Sequence, residues 1–182
     1  MRIVPLAIEG PLLIKPQRID DERGYFFEAY RANWLDELDS PVQFIQDNQT
    51  YSTYRGTIRG LHCQRAPHPQ AKLIRVLRGA VFDVAVDARP DSPSFGRHVV
   101  AKLSAENQRQ FYIPAGFLHG FATLTDDTEI LYKVSDYYDP ACDTAVAWND
   151  ADLAIDWPVD ANDAILSGRD RAAPGFRTVF GY

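Results

Sequence analysis

Two short segments carry the residues best suited to chemistry. Arg59-Gly60-Leu61-His62-Cys63-Gln64 and Pro114-Ala115-Gly116-Phe117-Leu118-His119-Gly120 each place one histidine in a strand-and-turn context. Imidazole titrates near neutrality, so His62 suits a general base, the alternative being a satisfied structural histidine. Asp170, in Leu166-Ser167-Gly168-Arg169-Asp170-Arg171, is a candidate carboxylate partner. Such a partner fixes the tautomer and stabilises imidazolium. Sequence distance neither supports nor opposes the pairing. His119 is either a turn histidine or a second ligand-facing imidazole. His68, between Pro67 and Pro69, reads as a loop residue, and His98 as a surface strand residue.

Tyr132 lies in Ile130-Leu131-Tyr132-Lys133-Val134. It is a core residue, or a general acid if its hydroxyl faces a pocket opposite His62. A nearby cation would then lower its pKa. Arg23, Arg59 and Lys72 form a candidate anion site for a phosphorylated or enolising substrate, with Arg giving bidentate contacts and Lys a point charge. Gln46, Asp47 and Asn48 offer contacts to a sugar or base, and Glu28 an acceptor for a base edge. Phe26 and Trp34 are core aromatics by default, although Phe26 could stack on a ligand. Tyr137 and Tyr138 read as packing or rim residues, and Tyr138 joins the candidate substrate contacts.

The elements that must position these groups are mostly short strands. Leu73 to Leu77 and Val81 to Val86 flank Arg78-Gly79-Ala80, which reads as a hairpin with Gly79 at positive φ. Further strands are expected over Arg97 to Leu103, Gln110 to Ile113, Leu118 to Leu124 and Glu129 to Tyr137. Asp87 to Gly96 reads as a loop. Helix is expected over Ala32 to Leu38, after a capping Ser104, and as one turn at Asp150 to Ile155. Many short strands with turns between them predict a sandwich or barrel with a pocket in its mouth. His62, Gln64, Lys72, Asp83, His119 and Tyr132 interrupt otherwise apolar strands. Buried polar groups cost free energy unless paired, so their clustering points to a wet, functional interior.

The chain has 182 residues, enough for one domain over 1–182 with a sizeable core. A formal net charge of -6 disfavours a nucleic-acid groove while allowing a local basic pocket. Cys63 and Cys142 are not spaced as a metal knuckle or redox pair and read as reduced thiols. No stretch approaches a membrane span, and the N-terminus lacks the pattern of a signal peptide. The cytoplasm is the expected compartment.

Gly56-x5-His62-x-Gln64 and Pro114-x-Gly116-x2-His119 resemble the two motifs of the cupin superfamily. Its metal-binding members usually carry histidine where Gln64 stands, and a glutamate a few residues on. Zinc and iron sites need at least three good ligands in most cases, a number not reached here, and no metal is expected. The resemblance narrows to the dTDP-4-dehydrorhamnose 3,5-epimerase family. It is carried by Arg23-Gly24-Tyr25-Phe26-Phe27-Glu28, Gln46-Asp47-Asn48, Gly56 to His62, Gln70-Ala71-Lys72-Leu73, Asp83 to Asp87 and Ile113 to Phe121. Tyr132-Lys133, Trp148-Asn149-Asp150, Ile155-Asp156-Trp157-Pro158 and Leu166-Ser167-x-x-Asp170 complete the ordered set.

That resemblance implies a mainly β, cupin-like double-stranded β-helix or jelly-roll barrel with a few short helices. It implies a homodimer without cofactor or metal, acting on a dTDP-4-keto-6-deoxy sugar. His62 matches the general base, Asp170 its paired carboxylate, Tyr132 the general acid and Lys72 the group that stabilises the C4 enolate oxygen. Arg59 and His119 match substrate contacts. Arg23, Phe26, Glu28, Gln46 and Asn48 match the set around nucleotide and sugar, part of it from the dimer partner. The implied reaction converts dTDP-4-dehydro-6-deoxy-D-glucose to dTDP-4-dehydro-L-rhamnose by proton removal and return at C3 and C5. Cys63, Ala66, Pro69, Ala151 and the tail after Pro174 depart from the family pattern. A single-centre 3- or 5-epimerase, a metal-dependent cupin and a non-catalytic sugar-binding barrel remain as alternatives.

Overall fold

The structure, a computed structural model, describes residues 1–36 and 42–181. Among these residues thirteen strands are arranged in three antiparallel sheets. In chain order they are β1 (Arg2–Pro5), β2 (Leu12–Lys15), β3 (Ile19–Asp21), β4 (Gly24–Phe26), β5 (Gln46–Ser52), β6 (Ile58–Gln64) and β7 (Lys72–Arg78). β8 (Ala80–Asp87), β9 (His98–Ser104), β10 (Gln110–Ile113), β11 (Phe117–Thr123), β12 (Thr128–Val134) and β13 (Asp143–Ala145) follow. A six-stranded sheet has the order β1-β2-β10-β7-β12-β5, and a five-stranded sheet the order β13-β6-β11-β8-β9. β3 and β4 pair only with each other, as a separate arm. Two short helices, α1 (Gly168–Arg171) and α2 (Phe176–Phe180), end the chain. The expected jelly-roll barrel is the architecture observed.

Alternation explains how the two large sheets close on each other. On β7, Ile74 and Val76 turn inward, as does Ile130 on β12, while Val81 and Ala85 on β8 and Phe117 and Phe121 on β11 meet them from the other sheet. The intervening residues of β8 are apolar too. Val84 and Val86 face outward into a second cluster with Leu153 and Phe176 from the C-terminal segment. β8 is therefore covered on both faces, which is why its sequence reads as an almost unbroken apolar run. The outer face of the six-stranded sheet packs Leu73 and Tyr112 against Leu35 and Trp34.

The expected hairpin at Arg78-Gly79-Ala80 does not form. β7 and β8 belong to different sheets, and Gly79, at φ +77°, is the corner at which the chain crosses between them. Ser104 does cap a turn, accepting from the Asn107 amide at 3.0 Å, but no helix follows. Gln108, at φ +52°, turns the chain directly into β10. Ala32–Leu35 is one 3-10 turn, and the rest of the expected helix, Glu37 and Leu38, lies outside the described residues. Asp150 to Ala154 closes a single turn as expected, with Ala154 N–H donating to the Asp150 carbonyl at 3.1 Å.

One close approach fixes the register of the site-bearing strands. His62 pairs with His119 and Arg59 with Phe121, so three steps on β6 match two on β11. Gly60, at φ +129°, sits in this bulge. A Cβ on Gly60 would lie 2.5 Å from Gly120 Cα and 2.8 Å from the His119 carbonyl oxygen. Gly60→Ala should therefore destabilise the fold by on the order of 3 kcal/mol or more. Urea denaturation measures this, and a loss below about 1 kcal/mol would refute the constraint.

Candidate active site

The bulge decides which side chains share a wall. In a regular strand, residues 59 and 62 would face opposite sides of the sheet. The extra residue on β6 cancels that inversion. Arg59 and His62 thus join Phe121 and His119 on one wall of a cavity of about 440 Å³. The six-stranded sheet supplies the facing wall. Tyr132 on β12 stands opposite Asn48 on β5 and Ile74 on β7, and Lys72 stands opposite Val134. Lys72 and Tyr132 line the cavity with Thr50 from β5.

Asp170 arrives from the far end of the sequence. The C-terminal segment is strapped to the start of β6 by Ile58 N–H donating to the Ile165 carbonyl at 2.9 Å and Ile165 N–H to the Gly56 carbonyl at 3.0 Å. Ser167 then caps α1, accepting from Asp170 N–H at 3.0 Å, and its hydroxyl donates to Asp170 Oδ2 at 2.8 Å. Asp170 Oδ1 lies 2.5 Å from His62 Nε2. Burial pushes the Asp170 carboxyl up, but His62 and Ser167 outweigh it and hold the group below the usual carboxylate range. An ionised Asp170 accepts the Nε2 proton, which leaves Nδ1 of a neutral His62 as the basic nitrogen.

A second imidazole–carboxylate pair lies beside the first. His119 Nε2 is 2.8 Å from Asp83 Oδ1, and both residues are buried. Burial pushes the His119 pKa down, opposed by Asp83 and reinforced by the nearby Lys72 and His62. Lys72 is likewise lowered by burial. Its Nζ makes a long 3.4 Å contact to the His62 carbonyl. Arg59 donates to Ser52 Oγ at 3.3 Å and to the Tyr51 carbonyl at 3.0 Å. Among the described residues neither Arg59 nor Lys72 forms an ion pair. Two cations without counter-ions in a partly desolvated cavity favour an anion or a developing negative charge. Tyr132 is raised by burial, against Arg59 and a hydrogen bond with Asn48, so its hydroxyl keeps its proton at neutral pH.

His62, Lys72, Tyr132, Asp170, Arg59 and His119 therefore line one cavity. Gln46 donates to Asn48 Oδ1 at 2.8 Å, beside Tyr132. Asp47 points the other way, to Lys133 at 2.8 Å on the outer face, because adjacent strand residues alternate. Arg23, Phe26 and Glu28 do not reach this cavity within the chain. They lie on or just beyond the β3–β4 arm, where Arg23 pairs with Asp21 at 2.6 Å and Glu28 with Arg31. Phe26 is 65% exposed, not core, whereas Trp34 does pack in the core. Tyr138 donates to Asp143 Oδ2 at 2.9 Å, and Asp143 also binds Arg169, a cavity residue, at 2.7 Å. Thr50, Phe121, Ser167 and Arg169 are cavity residues that the sequence reading missed. Thr50 and Phe121 were findable, since each stands two residues from a candidate on the same strand.

Gln64 does not face a metal position. Its amide is spent on backbone groups of neighbouring loops. Among the described residues no group of three or more His, Cys, Asp or Glu is placed to hold a metal ion.

The sequence profile of the dTDP-4-dehydrorhamnose 3,5-epimerase family matches residues 5–178. The chain belongs to this family. Its activity class is accordingly that of an epimerase. A curated dTDP-4-dehydrorhamnose 3,5-epimerase from Salmonella typhimurium is 46% identical over 175 residues, covering 96% of this chain and 94% of that one. The crystal structure of the Elizabethkingia anophelis enzyme superposes with a TM-score of 0.94 at 42% identity, over 99% of this chain and 98% of that chain. The Legionella pneumophila epimerase, solved with dTDP-4-keto-L-rhamnose, gives 0.92 at 42% identity over 98% and 94%.

The low Asp170 pKa has a pH signature. A carboxyl whose pKa is depressed by folding stabilises the fold above its unfolded value, and the contribution is lost as pH falls through the folded value. Asp170→Asn should cost about 1–2 kcal/mol at pH 7. The gap to wild type should shrink below about pH 4. Urea midpoints across pH 2–7 measure it, and a pH-independent gap would contradict the assignment.

Proposed function

We propose that the protein converts dTDP-4-dehydro-6-deoxy-D-glucose to dTDP-4-dehydro-L-rhamnose, with His62, Asp170, Lys72 and Tyr132 performing the chemistry without a cofactor. The observation that carries this reading is the placement of His62 and Tyr132 on facing sheets across one cavity. Protons at C3 and C5 are both α to the C4 ketone. His62 Nδ1 removes one, the electron pair moves onto the C4 oxygen, and the Lys72 ammonium holds the enolate charge. Asp170 steadies the imidazolium. Tyr132 O–H then delivers a proton to the opposite face of the same carbon, inverting it and leaving a phenolate close to Arg59. Solvent exchange returns the proton to Tyr132 and takes one from His62, and the cycle repeats at the second carbon. Each positioned proton-transfer group contributes on the order of 10²–10⁴-fold.

The test is position-resolved deuterium uptake in heavy water. Uptake at both C3 and C5 is expected, and uptake at one carbon assigns a single-centre epimerase instead. No uptake by folded protein would refute the activity. His62→Ala and Tyr132→Phe should each lower turnover by about 10²-fold or more while changing dTDP affinity far less. Retained turnover in both would refute the role assignments.

The same reading includes a cytoplasmic homodimer. Among the described residues the β3–β4 arm has no other sheet partner and exposes Ile19, Tyr25 and Phe26, while β5 is an open sheet edge. Unpaired edges and exposed apolar side chains favour association. In the dimer the arm carries Arg23, Phe26 and Glu28 to the partner's cavity. An arm variant, Arg23→Ala, and a cavity variant, His62→Ala, should each have little activity alone. After unfolding and refolding together they should recover activity, because a mixed dimer holds one intact site. Absence of recovery in a confirmed mixed dimer would exclude delivery in trans.

A further inference from the structure

Gln64 stands two residues beyond His62 on β6 and is only 4% exposed. Its Nε2 donates to the His68 carbonyl at 2.7 Å and to the Tyr137 carbonyl at 3.1 Å. Its Oε1 accepts from Asp139 N–H at 2.7 Å. The Tyr137 carbonyl and the Asp139 amide belong to the two peptide groups that flank Tyr138. One side-chain amide therefore grips the backbone on both sides of that residue, as a neighbouring strand would. The grip is reinforced from the same loop. His68 Nδ1 lies 3.1 Å from Asp136 Oδ2, and Gln70 Nε2 donates to the Asp136 carbonyl at 2.7 Å.

Tyr138 itself is 61% exposed, and its hydroxyl is held by Asp143, the partner of the cavity residue Arg169. An exposed aromatic side chain on a loop normally loses freedom when a ligand docks on it. Here the loss is met within the folded protein. The backbone is fixed by Gln64 and the ring tip by Asp143.

We propose that Gln64 is a positioning residue for substrate binding, acting through Tyr138. It locks the loop that carries Tyr138 to the strand that carries His62, so that the nucleotide sugar meets a preset Tyr138 in fixed relation to the imidazole. This inference rests on the epimerase reading only in taking a dTDP-linked sugar as the ligand.

A double-mutant cycle on dTDP binding tests it, using wild type, Gln64→Met, Tyr138→Ala and the double variant. Losing the clamp's hydrogen bonds should weaken dTDP binding about tenfold in Gln64→Met. Turnover at saturating substrate should change by less than about threefold, since the proton-transfer groups stay in place. In the Tyr138→Ala background, Gln64→Met should change the dissociation constant by less than about twofold. Losses that simply add, or an unchanged dissociation constant in the single variant, overturn the proposal.

Gln64→Glu supplies a second reading should Gln64→Met not fold. Ionised, the glutamate still accepts from Asp139 N–H but repels the two carbonyls. Protonated, it donates to one of them. Its dTDP affinity relative to wild type should recover as pH falls, and a deficit independent of pH overturns the clamp. Deuterium uptake by the wild-type enzyme is scored separately. Its absence with an intact cycle rejects the epimerase reading and leaves the clamp standing.

Discussion

β6 and β11 approach so closely at Gly60 and Gly120 that neither position has room for a side chain of ordinary size. Much of the cavity wall depends on that contact. The bulge it accommodates rotates one half of β6 against the other, and the rotation turns Arg59 and His62 to the same side. Without it, a cation and an imidazole three residues apart would face opposite sides of the sheet. His119, Phe121 and the partners beneath them are placed relative to the same joint. A backbone irregularity is thus the means by which β6 presents Arg59 and His62 to one cavity.

The electrostatics of the cavity follow from how its charges are shared out. Asp83 and Asp170, the carboxylates that reach the cavity's histidines, are each committed to an imidazole. The cations Arg59 and Lys72 are left with neutral partners. The local balance is positive inside a chain whose overall charge is -6. Burial keeps Tyr132 protonated and lowers His119 and Lys72. The site thereby holds a protonated phenol on one wall and a carboxylate-paired imidazole on the other. Negative charge placed between them would lie close to Arg59 and Lys72.

The sequence revealed the strands wherever apolar residues alternate or run together. β7, β8, β9, β10 and β11 lie close to their expected bounds, while β12 ends at Val134, three residues short of the expected Tyr137. β5, with the polar sequence Gln46-Asp47-Asn48-Gln49-Thr50-Tyr51-Ser52, gave no such signal, because its identity as a strand comes from pairing with β12. The strands of three or four residues at the N-terminus, and β13, were too short to show a period. Gly79 was readable as a positive-φ residue but not as a corner between sheets, since both uses need the same backbone freedom. At the site, polar residues inside apolar strands identified the cavity. The pairing of Asp170 with His62 rested on family resemblance alone, because nothing local links residues so far apart. The exposed arm was misread for a related reason. Phe26 looks like core in sequence, and only its position on an arm left uncovered by the other described residues shows otherwise.

His62 and Asp170 are 108 residues apart in the chain. Closing so long a loop costs entropy before any contact repays it. As the polypeptide emerges from the ribosome, strands of both large sheets are available long before the carboxylate is. The C-terminal segment that brings Asp170 also covers the outer face of the five-stranded sheet with Leu153 and Phe176. Formation of the His62–Asp170 pair is therefore coupled to the docking of that segment on the sheet. Whatever loosens Leu153 and Phe176 from the outer face also loosens the carboxylate from the imidazole on the inner one.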